Sequence, residues 1–161
     1  MKGAVLSLGS NLGDREKNLK DALDSLSRLP GTRIIKKSGI YVTKPVGFTN
    51  QPDFLNMAAV VETSLSPRAL LGGLLGIEAA LGRVRQYKNG PRVIDIDLLV
   101  YEGAVFNDDE LTLPHPRMHE RAFVMVPLSE LFSDGMVFGF DFKKQMDLFL
   151  AENTGVKKLG L

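Results

Sequence analysis

The stretch Val93-Ile94-Asp95-Ile96-Asp97-Leu98-Leu99-Val100-Tyr101 reads as a β-strand, rich in aliphatic side chains that fit a pleated surface. Side chains alternate between the two faces of a strand. The alternation predicts that Ile94, Ile96, Leu98 and Val100 share one face, while Asp95, Asp97, Leu99 and Tyr101 share the other. The first face is purely aliphatic and is expected to pack under helices. The second sets two carboxylates side by side on the open face of a sheet, about 7 Å apart at their Cα atoms. Aspartate is a poor strand former, so a pair of them in a strong strand costs stability that something should offset. Hard carboxylate oxygens at that spacing suit one Mg²⁺ or a bridged pair of ions, with substrate phosphates completing the shell. The competing reading is two ordinary polar residues on a solvated sheet face, salt-bridged to nearby arginines.

Upstream, the chain supplies three more strands and two helices. Residues 3–8 are short and apolar, bounded by Gly9-Ser10-Asn11, and read as a buried strand and turn. A helix follows from about Asp14 to Leu29, with Leu19, Ala22, Leu23 and Leu26 at three- and four-residue spacing. Pro30-Gly31 ends it. Residues 32–42 read as a strand, 44–53 as irregular chain, and 55–63 as a further strand. Ser66-Pro67 is a helix start, and that helix runs to Leu81 and stops at Gly82. Strand, helix, strand, strand, helix, strand is the order of the ferredoxin-like α+β sandwich, an antiparallel sheet with both helices on one face. After Glu102 the sequence predicts a hairpin-like piece, a Pro-His-Pro turn, and helical segments near 120–131 and 141–152. No repeat, low-complexity tract or linker divides the chain, so one domain is expected over 1–161.

Composition narrows the functional classes. A net charge of +1 over 161 residues gives no bulk electrostatic case for nucleic acid or an acidic membrane. The absence of cysteine excludes disulfides, thiolate metal sites and a cysteine nucleophile. No apolar run approaches the roughly 20 residues that span a bilayer. The start, Met1-Lys2-Gly3-Ala4-Val5, reads as a strand and not as a signal peptide. A cytoplasmic monomer acting on small molecules is the expectation.

Two basic clusters flank the carboxylate pair. Arg83, Arg85, Lys88 and Arg92 fall in an acid-free loop between Glu78 and Asp95, and Asn89-Gly90-Pro91 makes its end a turn. His115, Arg117, His119 and Arg121 form the second cluster. Arginine forks together with Mg²⁺ hold phosphates where no backbone nest is present. Gly9-Ser10-Asn11-Leu12-Gly13-Asp14 lacks the lysine and hydroxyl residue of a P-loop, and reads as a strand-to-helix turn. His115 and His119 have a spacing that zinc sites use on helices, but Pro116 lies between them and no third ligand is recognisable. His115, fixed by Pro114 and Pro116, suits a phosphate donor better. Phe54 and Phe123 can sandwich a flat ring whose edge Asn56 and Thr43 read; alternatively both phenylalanines are core. The loops near 43–56 and 83–91 are candidate lids that exclude water.

Several motifs together resemble one family. They are Leu8-Gly9-Ser10-Asn11-Leu12-Gly13, Gln51-Pro52-Asp53-Phe54-Leu55-Asn56, Glu62-Thr63-Ser64-Leu65-Ser66-Pro67 and Gly82-Arg83-Val84-Arg85. Gly90-Pro91-Arg92-Val93-Ile94-Asp95-Ile96-Asp97, Leu113-Pro114-His115-Pro116-Arg117-Met118 and Arg121-Ala122-Phe123-Val124 complete the set. Over essentially its full length the chain resembles the 6-hydroxymethyl-7,8-dihydropterin pyrophosphokinases of folate biosynthesis. The resemblance implies a ferredoxin-like fold, ATP as donor and two Mg²⁺ ions. It also implies transfer of the β,γ-pyrophosphoryl group to the pterin hydroxymethyl oxygen, leaving AMP. By position, Asp95 and Asp97 would bind both metals, and Arg83 and Arg92 would stabilise the transferring group. Arg85, His115 and Arg121 would contact ATP phosphates or ribose, with Glu78, Leu98 and Thr112 near the nucleoside. Thr43, Val46, Phe54, Asn56 and Phe123 would form the pterin pocket. The chain departs from the pattern at Phe54, often tyrosine, and at Leu75, Asn89, Glu110 and Pro116, where relatives carry glutamine, tryptophan, arginine and tyrosine. A two-metal phosphohydrolase and a non-catalytic ferredoxin-like binding module remain as alternatives.

Overall fold

Apolar residues on both faces of the first strand demand cover on both sides, and the structure provides it. The computed structural model describes residues 1–44, 50–82 and 93–160. In chain order it contains β1 (Lys2–Ser10), α1 (Arg15–Ser27), β2 (Thr32–Lys37), β3 (Tyr41–Thr43), β4 (Phe54–Thr63), α2 (Pro67–Ala80) and β5 (Asp95–Tyr101). There follow β6 (Phe106–Asn107), β7 (Thr112–Leu113), a 3₁₀ turn (Met118–Glu120), α3 (Ala122–Leu131), β8 (Met136–Val137), β9 (Phe140–Asp141), α4 (Lys143–Ala151) and β10 (Lys157–Lys158). The main sheet is antiparallel in the order β10-β3-β4-β1-β5, with β2 also paired to β4. No helix among the described residues is long and apolar enough to cross a membrane.

The two early helices form where apolar periodicity and the Ser66-Pro67 start predict them. Asp14 accepts from the Lys17 N–H at the start of α1, and Ser66 accepts from the Ala69 N–H at the start of α2 with Pro67 in its first turn. Leu19, Ala22 and Leu26 of α1 and Leu70, Leu74 and Ile77 of α2 bury against Ala4, Leu6 and Leu8 of β1 and Leu55, Met57, Ala59 and Val61 of β4. Burial of each of the leucine, isoleucine, valine and methionine side chains is worth about 1.5–3 kcal/mol, so this one-sided packing holds the helices to the sheet.

Three expectations are corrected. The opposite face of the sheet is not open throughout: α3 and α4 cover Val5, Ala58, Val60, Leu99 and Val100 with Val124, Met125, Leu128 and Met146. The carboxylate-bearing part of that face lies beyond this second core. Next, the predicted alternation along β5 breaks. The pairing runs Leu6↔Leu98 and then Val5↔Val100, so Leu99 is an extra residue, a β-bulge. The bulge shifts the phase, so Val100 joins Leu99 on the α3 face while Tyr101 turns to the helix side and donates from its hydroxyl to the Leu65 carbonyl. Finally, the single strand expected over 32–42 is two. β2 pairs with the second half of β4 and β3 with the first half. In the break between them Ser38 donates its N–H to the Ala58 carbonyl and accepts the Ala58 N–H on its hydroxyl, both at 2.9 Å.

Candidate active site

Where the cover of α3 and α4 ends, the sheet floors a cavity of about 650 Å³. Its floor is a row of cavity-facing residues from successive strands: Asp95 and Asp97 of β5, Ser7 and Gly9 of β1, Phe54 and Asn56 of β4, and Thr43 at the end of β3. Strand register makes the row. Gly9 pairs with Asp95 on one side and Asn56 on the other, and Ser7 pairs with Asp97. Gly9 therefore belongs to β1 and not to the turn expected over Gly9–Gly13, and its lack of a side chain has a use. A Cβ there would stand 2.8 Å from Asn56 Oδ1, too close for a backbone-anchored carbon. Asn56 is 4% exposed, and its Nδ2 donates to Thr43 Oγ1 at 2.9 Å. The approach to β4 is pinned from below: Asn11 Nδ2 donates to Gln51 Oε1 at 2.8 Å and to the Pro52 carbonyl at 3.1 Å, and Arg15 Nη1 donates to the Asp53 carbonyl at 2.8 Å.

The rim comes from the turn before α3, from the first residues of α3, and from the segment before β10. Arg121 Nη1 lies 4.0 Å from Asp97 Oδ2, and its guanidinium sits 5.6 Å from the Phe123 ring centroid. His115 donates its backbone N–H to the Leu99 carbonyl at 2.7 Å, tying this turn to the outer edge of β5. Its Nδ1 accepts the Arg117 N–H at 3.2 Å, so the neutral ring carries its proton on Nε2. Burial pushes the His115 pKa below the ordinary histidine value, and the positive charges of Arg121 and Arg117 add to this against the opposing pull of Asp95. Glu78, 4% exposed on α2, accepts the Ile96 N–H at 2.7 Å and so fixes the start of β5 from outside.

Eight residues singled out in the sequence meet in this cavity: Thr43, Phe54, Asn56, Asp95, Asp97, Arg117, Arg121 and Phe123. Phe54 and Phe123 are half-buried and both line the cavity, and Phe123 also packs against the second core. Glu78, Thr112 and His115 stand outside its lining, and Leu98 is buried in the core under the helices. Arg83, Arg85, Arg92 and Val46 lie outside the described residues, as do the whole 83–91 candidate lid and residues 45–49 of the other. His115 and His119 gain no third ligand: among the described residues, no group of three or more His, Asp or Glu residues is placed to hold a metal unaided. Asp95 and Asp97 offer hard oxygens on one face, a donor set that fits Mg²⁺ when ligand phosphates complete the coordination. Sequence reasoning missed Ser7, Lys44, Glu120 and Ala122, together with Thr154, Gly155 and Val156. Strand pairing would have found Ser7, whereas the last three carry no signal of their own. The departure at Glu110 has a local explanation, since Glu110 accepts from Arg68 of α2 at 2.8 Å beside the Arg68–Asp108 pair.

Fold and cavity together define an α+β protein with an acidic strand at one end of a deep site and an amide-and-aromatic pocket at the other. A family model for 7,8-dihydro-6-hydroxymethylpterin-pyrophosphokinase matches residues 5–133, and the chain belongs to that family. It is 50% identical over 139 residues to a 2-amino-4-hydroxy-6-hydroxymethyldihydropteridine pyrophosphokinase of Methylorubrum extorquens, covering 86% of this chain and 88% of the relative. The Bacillus subtilis protein of the same name is 44% identical over 128 residues, covering 80% and 77%. Among solved structures, a Plasmodium falciparum HPPK-DHPS aligns with a TM-score of 0.70 at 15% identity, covering 94% of this chain and 44% of that one. The chain thus spans less than half of that longer protein, and the likeness speaks for the fold.

Proposed function

We propose that this protein transfers the pyrophosphoryl group of ATP to the hydroxymethyl oxygen of 6-hydroxymethyl-7,8-dihydropterin, giving AMP and the pterin diphosphate of folate biosynthesis. The observation that carries the reading is one cavity with Asp95 and Asp97 at one end and Thr43, Asn56, Phe54 and Phe123 at the other. A phosphohydrolase reading leaves the second end without a task, and a binding-module reading leaves the acidic pair without one. Family membership favours neither.

Transfer of this kind is dominated by positioning and charge neutralisation. Two Mg²⁺ ions on Asp95 and Asp97 would neutralise charge developing on the phosphoryl oxygens. Arg121 on the rim is suited to hold phosphate oxygens. His115, outside the lining, is assigned to the same group by resemblance, as are Arg83, Arg85 and Arg92, and would donate from Nε2. Ile96 directs its N–H outward to Glu78, and the two-residue repeat of a strand directs the Leu98 backbone outward as well. That edge would read the nucleoside by backbone hydrogen bonds, which reconciles a nucleoside role for Leu98 with its buried side chain; Glu78 and Thr112 flank the same region. At the other end, the Thr43 bond fixes the Asn56 amide so that its Oδ1 accepts from a ring N–H. Phe54 and Phe123 bracket the ring, with Val46 assigned beside them. The strand order β5-β1-β4 followed by β2 and β3, with α1 and α2 on one face, supports the ferredoxin-like assignment. A single-domain cytoplasmic monomer completes the proposal. Calorimetric titration with the dihydropterin, in the presence of Mg²⁺ and a non-hydrolysable ATP analogue, tests it: saturable binding that Asn56→Ala abolishes is expected. Binding unaffected by that substitution would contradict the site map.

A further inference from the structure

We propose that Thr154, Gly155 and Val156 form the outer wall of the acceptor end of the cavity, and that Glu130 clamps this wall in place. The proposal rests on the acceptor reading above. All three residues line the cavity, although they lie beyond the span of the family match, which ends at residue 133. Their position follows from the sheet order. β5, with the two aspartates, is one edge, and β10, which the segment enters, is the other, beside β3. The β5 and β3 backbones are about 14 Å apart at the usual interstrand spacing. The wall therefore borders Thr43 and Asn56 and stands away from the metal end.

The wall is held at several points. Gly155 adopts φ +76°, a left-handed conformation open to glycine, and turns the chain toward β10. Lys157 and Lys158 then pair with Val42 and Tyr41, and the Leu159 N–H donates to the Ile40 carbonyl at 2.7 Å. Glu130 on α3 draws these pieces together. It accepts from the Tyr41 hydroxyl at 2.7 Å and from the Gly39 N–H at 3.1 Å, and pairs with Lys158 Nζ at 3.2 Å. Burial opposes ionisation of Glu130, but these donors outweigh it and hold the carboxyl below its ordinary range. The Lys158 side chain passes over Gly39, its Cε 2.5 Å from where a Cβ would stand. The same β3 that carries Thr43 into the pocket thus carries the wall, so acceptor recognition and wall position are coupled. Variation outside the shared family span can then tune the acceptor without touching the acidic strand.

The test uses full-length Val156→Phe, Lys158→Met and Lys158→Arg. Val156→Phe is expected to raise the KM for the dihydropterin about ten-fold or more while the KM for ATP stays within about two-fold. Lys158→Met should do the same more mildly, with Lys158→Arg restoring the value. Equal shifts in both KM values, or an unchanged dihydropterin KM, would overturn the proposal. Dihydropterin binding in the presence of Mg²⁺ and an ATP analogue separates this inference from the reading beneath it. Weakened binding by Val156→Phe upholds the wall even if the wild type releases no AMP. Equal binding by wild type and Val156→Phe overturns the wall even if AMP is released.

Discussion

Asn56 and Thr43, on adjacent strands, share a buried hydrogen bond of 2.9 Å from Nδ2 to Oγ1 on the floor of the cavity. The bond decides which way the amide points and therefore which atom a ligand meets. Thr43→Val keeps the shape but leaves a buried N–H without its acceptor, which costs about 1–3 kcal/mol. Urea denaturation should register that loss, and dihydropterin affinity should fall while ATP affinity holds.

Gly9 lies between Asp95 and Asn56 in the register. Gly9→Ala would place a methyl group 2.8 Å from Asn56 Oδ1 and 3.8 Å from Phe54 Cδ1. Displacing a recognition group by even about 1 Å can cost around 100-fold in turnover. Steady-state kinetics should show the damage in kcat/KM for the dihydropterin, with the far-ultraviolet circular dichroism of the variant unchanged.

Asp95 and Asp97 face the cavity, outside both hydrophobic clusters. Asp95→Asn and Asp97→Asn should therefore fold normally yet lose several kcal/mol of transition-state stabilisation, about 100-fold or more in kcat. A near-normal rate in either variant, at saturating Mg²⁺, would remove that residue from metal binding.

His115 resists protonation in the fold, chiefly through burial and then through Arg121 and Arg117. The unfolded chain takes up that proton near pH 6.5. Unfolded protein then binds more protons than folded protein below that pH, so stability falls as pH drops from about 6.5 toward the lowered folded value. His115→Gln lacks this group. Denaturation curves at pH 7.5 and 5.5 should show a smaller acid loss for the variant than for wild type, and an equal loss would contradict the assignment.

Strand and helix order, the Ser66 cap of α2 and the face of the aspartate pair were legible because each rests on local pattern: period 2, period 3.6, or a hydroxyl before proline. Leu99 shows where such a reading stops. Nothing in Leu98-Leu99-Val100-Tyr101 marks a bulge, since any of these aliphatic residues can be the extra one, and the phase change comes from pairing with β1. The break at Ser38 is similar, because the side chain that bridges it does so through the Ala58 backbone twenty residues away. Thr154–Val156 were invisible for a further reason. Their place beside the cavity depends on β10 reaching β3 across the whole sequence, and two lysines in a short edge strand carry almost no β signal.

The most direct measurement is the nucleotide product formed when the protein is incubated with Mg²⁺, ATP and 6-hydroxymethyl-7,8-dihydropterin. Release of AMP, dependent on the dihydropterin and equimolar with pterin diphosphate, is the result predicted. ADP as the product, or AMP formed equally without the dihydropterin, would contradict pyrophosphoryl transfer to this acceptor.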